Sequence, residues 1–187
     1  MQAFRSILTS QPARGLVAQR FLQTTSNLGM PIKTGDRLPS VDLFEGAPDK
    51  KVNTSEFSKG KVVIFGVPGA FTPTCSNDHV PSFLKTIDEI KKKGVSNLVC
   101  VAVNDPFVMS AWGKSLDPSG KIRFLADTTG AFAKALDVTF DLTAVLGNVR
   151  NKRYALVAEN GVVKGINIEP DGAGLSCSRA TDILRLL

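Results

Sequence analysis

Three cysteines stand at positions 75, 100 and 177 of this 187-residue chain, and its one histidine is His79. Thiolates are nucleophiles and redox centres, so the question is which cysteine has neighbours that would ionise it. Only Cys75 does. It closes the stretch Val67-Pro68-Gly69-Ala70-Phe71-Thr72-Pro73-Thr74-Cys75. Thr72 is placed to be a helix N-cap and Pro73 its first helical residue, so Cys75 falls at the third position, inside the first turn. Unpaired backbone N–H groups and the positive end of the helix dipole favour an anion there. The chemistry this allows is nucleophilic attack and reversible oxidation by a thiolate. The Thr72 hydroxyl, one turn away, is within reach of the sulfur or of an incoming oxygen. Thr74, Ser76, Asn77 and Asp78 surround Cys75 with polar groups, which weighs against its being a small buried hydrophobe. His79, one turn further on, could reach the thiolate as an ion-pair partner or support the loop.

The elements around this stretch must place it. Lys61–Val67 is a continuous apolar run of strand length, bounded by Gly and Pro. Residues 73–93 read as a helix, with Val80, Phe83, Leu84, Ile87 and Ile90 forming one apolar stripe. Its last turn carries Lys91, Lys92 and Lys93, as suits the negative end of the dipole. Strands follow at 97–103 and 122–126, separated by a helix at 106–116 with Pro106 at its start. A short helix spans 129–136. Residues 153–158 and 162–168 flank Asn160-Gly161, a strong hairpin signal, and a helix over 178–187 closes the chain. Residues 31–60, with Val41–Phe44, form an added N-terminal strand or hairpin. The pattern predicts a mixed α/β sheet of thioredoxin-like type flanked by helices, with parallel strands first and antiparallel ones after. The loop holding Cys75 then lies at the carboxyl end of a parallel strand, where such sheets place their sites.

The residues Pro68, Thr72 and Cys75 form the pattern P-x-x-x-T-x-x-C, which resembles the active-site motif of the peroxiredoxins. The wider stretches PGAFTPTCSNDHVPSF, VNDPFVMSAWGK, LGNVRNKRYALV and NIEPDGAGLSCS are similar to the peroxiredoxin 5 subfamily, also called type II or atypical two-cysteine, and the likeness covers residues 31–187. It implies a thiol-dependent peroxidase that reduces hydrogen peroxide and alkyl hydroperoxides and uses no metal, haem or flavin. Cys75 resembles the peroxidatic cysteine, Pro68 the residue shielding its sulfur, and Thr72 the hydroxyl that binds thiolate and peroxide. The family's arginine corresponds to Arg153; Arg150, Lys152 and Arg123 are the competing cations. Cys177, in the Gly-rich loop Gly172-Ala173-Gly174-Leu175-Ser176-Cys177, resembles the resolving cysteine of animal-type members, which implies an intramolecular Cys75–Cys177 disulfide regenerated by thioredoxin. Plant-type relatives place their second cysteine at the spacing of Cys100, so the resemblance leaves both resolvers open. It also implies a monomer or a weak homodimer, with Phe44, Phe71 and Phe107 as candidates to line the interface. A peroxide-sensing relay that passes oxidation to partner proteins is the alternative use of the same thiolate.

Composition bounds the remaining classes. Hydrophobic residues make up 43% and charged residues 21%, an ordinary globular balance. The longest nearly unbroken apolar run, residues 62–71, is too short to cross a bilayer as a helix. Cysteines this few and this far apart exclude a disulfide scaffold and any CxxC pair. The net charge of +6 is uneven. Residues 1–30 carry Arg5, Arg14 and Arg20 and no acidic residue, and no basic stripe elsewhere supports nucleic-acid binding. The Arg-, Ser- and Thr-rich segment 1–29 reads as a mitochondrial transit peptide, with residues 30–187 as the domain. Arg20-Phe21-Leu22-Gln23-Thr24-Thr25 resembles a presequence-processing site and places the mature start near Met30. A start at Met30 itself would give an untargeted cytoplasmic form beside the matrix one.

Overall fold

A computed structural model of the chain describes residues 30–187. The reading of residues 1–29 as a transit peptide lies outside the described residues. The domain is built on a seven-stranded mixed sheet in the order β2-β1-β5-β4-β3-β8-β9. Its centre is β3 (Lys61–Gly66), β4 (Val95–Ala102) and β5 (Arg123–Ala126), mutually parallel. These strands are Val-, Ile- and Leu-rich with almost every residue buried, as parallel strands covered on both faces must be. Right-handed crossovers of the βαβ kind need a helix between successive parallel strands. Here these are α1 (Val80–Lys92) and α2 (Pro106–Leu116).

The α1 stripe buries Val80, Phe83, Ile87 and Ile90, with Leu84 packed at the margin. Asp105 caps α2 by accepting from the Val108 N–H at 2.9 Å, and Pro106 follows at the first position. The second face of the sheet is covered by α3 (Ala131–Ala135) and by the N-terminal segment. That segment forms the expected hairpin, β1 (Asp42–Phe44) with β2 (Lys51–Asn53), and β1 joins the sheet edge through Phe44 and Ala126. The Asn160-Gly161 hairpin joins β8 (Tyr154–Glu159) to β9 (Val162–Ile168) as read.

Two regions depart from expectation. A second, two-stranded sheet of β6 (Thr139–Asp141) and β7 (Val149–Asn151), with α4 (Thr143–Leu146) at its tip, was not legible. Its strands are three residues long and none of their apolar side chains is buried, so they carry no apolar period. The closing helix shrinks to α5 (Ala180–Ile183), because Cys177 and its neighbours are held in an extended loop by side-chain bonds instead.

The register of β3 against β8 is what positions the site. The two run antiparallel with Gly66 opposite Tyr154. The amino end of β8, and Arg153 just before it, therefore meets the carboxyl end of β3. Gly66 is required at this crossing, since a Cβ there would lie 2.1 Å from the Tyr154 ring and 2.7 Å from Asn151 Nδ2. Asn151 ties the same corner together. Its amide donates to the Val67 carbonyl at 3.0 Å and its oxygen accepts from the Val103 N–H at 3.2 Å. Gly66→Ala is expected to cost roughly 1–3 kcal/mol by overpacking. The denaturant midpoint measures it, and an unchanged midpoint would show that Tyr154 yields freely.

Candidate active site

After β3 the chain crosses the sheet end through Val67, Pro68 and Gly69, all buried. It then turns at Phe71, whose φ of +61° lies in the left-handed region. A non-glycine residue there is strained and is held by its surroundings. Among these, the Asn104 side chain accepts from the Ala70 N–H at 3.1 Å. The helix then starts as expected, with the Thr72 carbonyl accepting from the Ser76 N–H at 3.0 Å. The Thr72 hydroxyl does not cap it, however. It donates back to the Gly69 carbonyl at 2.9 Å and so closes the turn before the helix.

The first turns are not α-helical throughout. Cys75–His79 is a π-helical turn, in which the Val80 N–H reaches back five residues to the Cys75 carbonyl. Such insertions widen a helix locally and recur at functional sites. This one lies beneath the buried side chains of Cys75 and His79.

Cys75 is wholly buried, against the expectation drawn from its polar sequence neighbours, of which Asn77 and Asp78 are exposed and Thr74 and Ser76 half-buried. Its sulfur nonetheless has a polar partner. Arg153, 2% exposed, donates from Nη1 to Cys75 Sγ at 3.4 Å. Two of the other candidate cations are engaged elsewhere. Arg150 donates to Asn148 and to the Leu146 carbonyl, and Arg123 is paired with Glu45 at 2.6 Å.

Arg153 is held by the loop that follows β9. Its Nε donates to the carbonyls of Ala173 at 3.1 Å and Gly174 at 2.8 Å. Nη1 also donates to His79 Nδ1 at 3.3 Å, while His79 Nε2 donates to the Ser178 carbonyl at 2.9 Å. The tautomer with its proton on Nε2 satisfies both contacts. Burial, with the Arg153 charge added, lowers the His79 pKa from 6.5 to about 3. The ring sits between Phe65 and Phe83, with centroids at 5.2 and 5.5 Å. His79 is thus a neutral ring that accepts from the arginine and donates to the Ser178 carbonyl.

The other two thiols differ sharply. Cys100 lies in the central strand β4, paired on both sides and fully buried. Burial, and then the nearby Cys75 charge, push its thiol up. Cys177 is half-buried in the 169–179 loop, and its Sγ donates to the Ile168 carbonyl at 3.5 Å. Burial and the Glu169 charge raise it too.

Two side chains important to this geometry were not singled out from the sequence. One is Asn151, lost in a polar run. The other is Glu169, which is 1% exposed and accepts from Ser176, Cys177 and Ser178. Burial opposes its ionisation, but those hydrogen bonds outweigh burial and hold the carboxyl well below the ordinary carboxylate range. Its only sequence signal was an acidic residue closing a strand just ahead of a loop of small polar residues.

The sequence matches the Redoxin family over residues 33–184. It is 45% identical to peroxiredoxin-2C of Oryza sativa subsp. japonica, over 84% of this chain and 99% of that protein. Among solved structures it resembles peroxiredoxin 5 of Alvinella pompejana, with 40% identity and a TM-score of 0.75 over 83% of this chain and 97% of the other. It also resembles reduced Prx3 of Vibrio vulnificus in complex with H2O2, with 41% identity and a TM-score of 0.75 over 82% and 98% of the two chains. A thioredoxin-like sheet with a cysteine in the first turn after its central strand is thus the fold of a redoxin. The chain belongs to this family as a peroxiredoxin of the Prx5 type, a thiol-dependent peroxidase.

A neutral buried His79 has a thermodynamic consequence. Its folded pKa lies below the unfolded value of 6.5, so the unfolded chain binds the extra proton and stability falls as the pH drops below about 6.5. The slope from this one group is at most about 1.4 kcal/mol per pH unit. Glu169, with a depressed pKa, adds a loss of the same sign only below its ordinary value of 4.5. Between pH 6.5 and 5 the melting temperature of the wild type is expected to fall, and His79→Gln to flatten that fall. An equally steep decline in the variant would assign the effect to another group.

Proposed function

We propose that Cys75 is the peroxidatic cysteine and Arg153 its electrostatic partner. The observation that carries this is the Arg153 Nη1–Cys75 Sγ contact of 3.4 Å between two buried side chains at a helix start. The guanidinium keeps its proton, so it favours the thiolate and then the oxygen charge that develops during attack. The sulfur attacks one peroxide oxygen, the O–O bond breaks, and the departing alkoxide or hydroxide takes a proton from water. Cys75 is left as a sulfenic acid. Pro68, buried at the end of β3, shields the sulfur. The Thr72 hydroxyl, after leaving the Gly69 carbonyl, donates to the thiolate or the bound peroxide. That the H2O2-bound Prx3 of Vibrio vulnificus has a similar fold supports hydrogen peroxide as a substrate.

The sulfenic acid then condenses with Cys177, releasing water and forming the Cys75–Cys177 disulfide, which thioredoxin reduces. Mobility favours Cys177 over Cys100. The former sits on an irregular loop, whereas the latter would have to leave the hydrogen-bonded centre of the sheet. Residues 1–29 act as a mitochondrial presequence on this reading, supported by their composition and by the family match beginning only at residue 33. Association as a weak homodimer is supported by Phe71 and Phe107, which are 59% and 63% exposed. The likeness to peroxidases favours peroxide turnover over a relay to partner proteins.

Peroxide consumption with thioredoxin and its reductase tests the assignments. Cys75→Ser is expected to fall to the uncatalysed background, and Arg153→Gln to lose about 100-fold or more in its reaction with peroxide. Cys177→Ser should react once and stop cycling, while Cys100→Ser should cycle and yield the 75–177 disulfide on intact-mass and peptide analysis. Full cycling by Cys177→Ser together with arrest of Cys100→Ser would reverse the choice of resolver.

A further inference from the structure

We propose that Glu169 is a positioning residue. Its carboxylate clasps the Cys177 loop, the clasped loop holds Arg153 and His79 against Cys75, and opening the clasp exchanges a peroxide-reactive site for a resolving one. The inference rests on the peroxidase reading of Cys75.

A buried carboxylate is costly unless its oxygens are satisfied. Glu169 meets this with neutral donors alone. The N–H groups of three successive residues, Ser176, Cys177 and Ser178, reach it at 2.9, 3.0 and 2.9 Å. The hydroxyls of Ser176 and Ser178 each donate to it at 2.6 Å. Hydrogen bonds to an ionised acceptor are about twice as strong as neutral ones, so this is the main fastening of an otherwise irregular segment. The backbone continues it, with the Glu169 N–H on the Arg153 carbonyl at 2.9 Å and the Arg153 N–H on the Gly172 carbonyl at 2.7 Å.

The fastened loop is what aims the active site. Its carbonyls at Ala173 and Gly174 receive Arg153 Nε, and its carbonyl at Ser178 receives His79. Glu169 makes no contact with the sulfur, so it acts through these groups. The same bonds restrain the second thiol. The Cys177 N–H is on Glu169, its carbonyl accepts from Asn167 Nδ2 at 2.8 Å, and its sulfur is turned to Ile168. For Cys177 to form a bond to Cys75 it must leave these partners, and the carbonyls that hold Arg153 and His79 leave with the loop. The first half-reaction, thiolate plus peroxide to sulfenic acid, needs the clasp closed. The second, sulfenic acid plus the Cys177 thiol to disulfide and water, needs it open.

The two steps are measured separately. In a Cys177→Ser background, competition kinetics with H2O2 give the rate of the Cys75 thiolate, and absorbance at 240 nm gives the thiolate present at neutral pH. With Cys177 in place, acid quench and mass analysis give the rate of disulfide formation. Glu169→Gln turns an amide N–H toward the loop donors. It is expected to slow the peroxide step roughly tenfold to a hundredfold and to reduce the thiolate signal, while disulfide formation holds or accelerates. Ser176→Ala/Ser178→Ala, which keeps the carboxylate but removes two of its donors, should shift both steps in the same directions by less. That double variant decides alone if Glu169→Gln does not fold. A peroxide rate within twofold of wild type, or both steps slowed by one common factor, would overturn the role. Unreactive wild-type Cys75 would sink the peroxidase reading instead, so the two failures are distinguishable.

Discussion

A guanidinium and a sulfur, both buried and 3.4 Å apart, are the interaction on which the rest of the molecule depends. The Arg153 charge could not be placed there without partners, since an unpaired ion in a protein interior costs several kcal/mol. The pairing exists because two strands far apart in sequence share a register. The antiparallel match of Gly66 with Tyr154 puts the start of β8, with Arg153 just before it, where β3 ends and the chain turns toward the Cys75 helix. Central parallel strands β3 and β4 in turn fix where that end lies, with Asn151 holding their carboxyl termini together.

Electrostatic economy follows from how the surrounding groups are satisfied. Arg153 spends its Nε on carbonyl oxygens and keeps Nη1 for the sulfur and for a neutral imidazole. Were His79 protonated, two cations would face each other in an apolar box made by Phe65 and Phe83, which is why burial and the arginine keep it neutral. The positive end of the helix and one guanidinium then both face the sulfur.

Much of this was readable beforehand because it obeys local rules. Pro68, Thr72 and Cys75 announce a strand-to-helix turn by residue type alone, and the stripe from Val80 to Ile90 announces the helix behind it. Arg153 was readable only through family resemblance, since nothing local distinguishes it from Arg150. The structure separates them by partners that sequence spacing does not encode, Arg150 being bound to Asn148 and the Leu146 carbonyl. The π-helical turn, the hydroxyl of Thr72 turned to Gly69, and the burial of Cys75 were hidden for one reason. Each is decided by tertiary contacts, where a polar-looking segment buries Cys75 and His79 and leaves its other side chains at least partly exposed. The same holds for residues 178–187, whose apolar spacing suggested a full helix until Glu169 claimed the amides just before it.

The two remaining thiols are held in physically different ways, one by ladder bonds and the other by side-chain bonds. Cys100 is held by backbone pairing on both sides of β4. Releasing it means opening the sheet's centre, which costs a large part of the roughly 5–15 kcal/mol that holds a domain folded. Cys177 is held by side-chain bonds, its loop's N–H groups on the Glu169 carboxylate and its carbonyl on Asn167 Nδ2, with no strand pairing to break. Such a segment can open alone while the sheet, the helix behind Cys75 and the buried core stay in place.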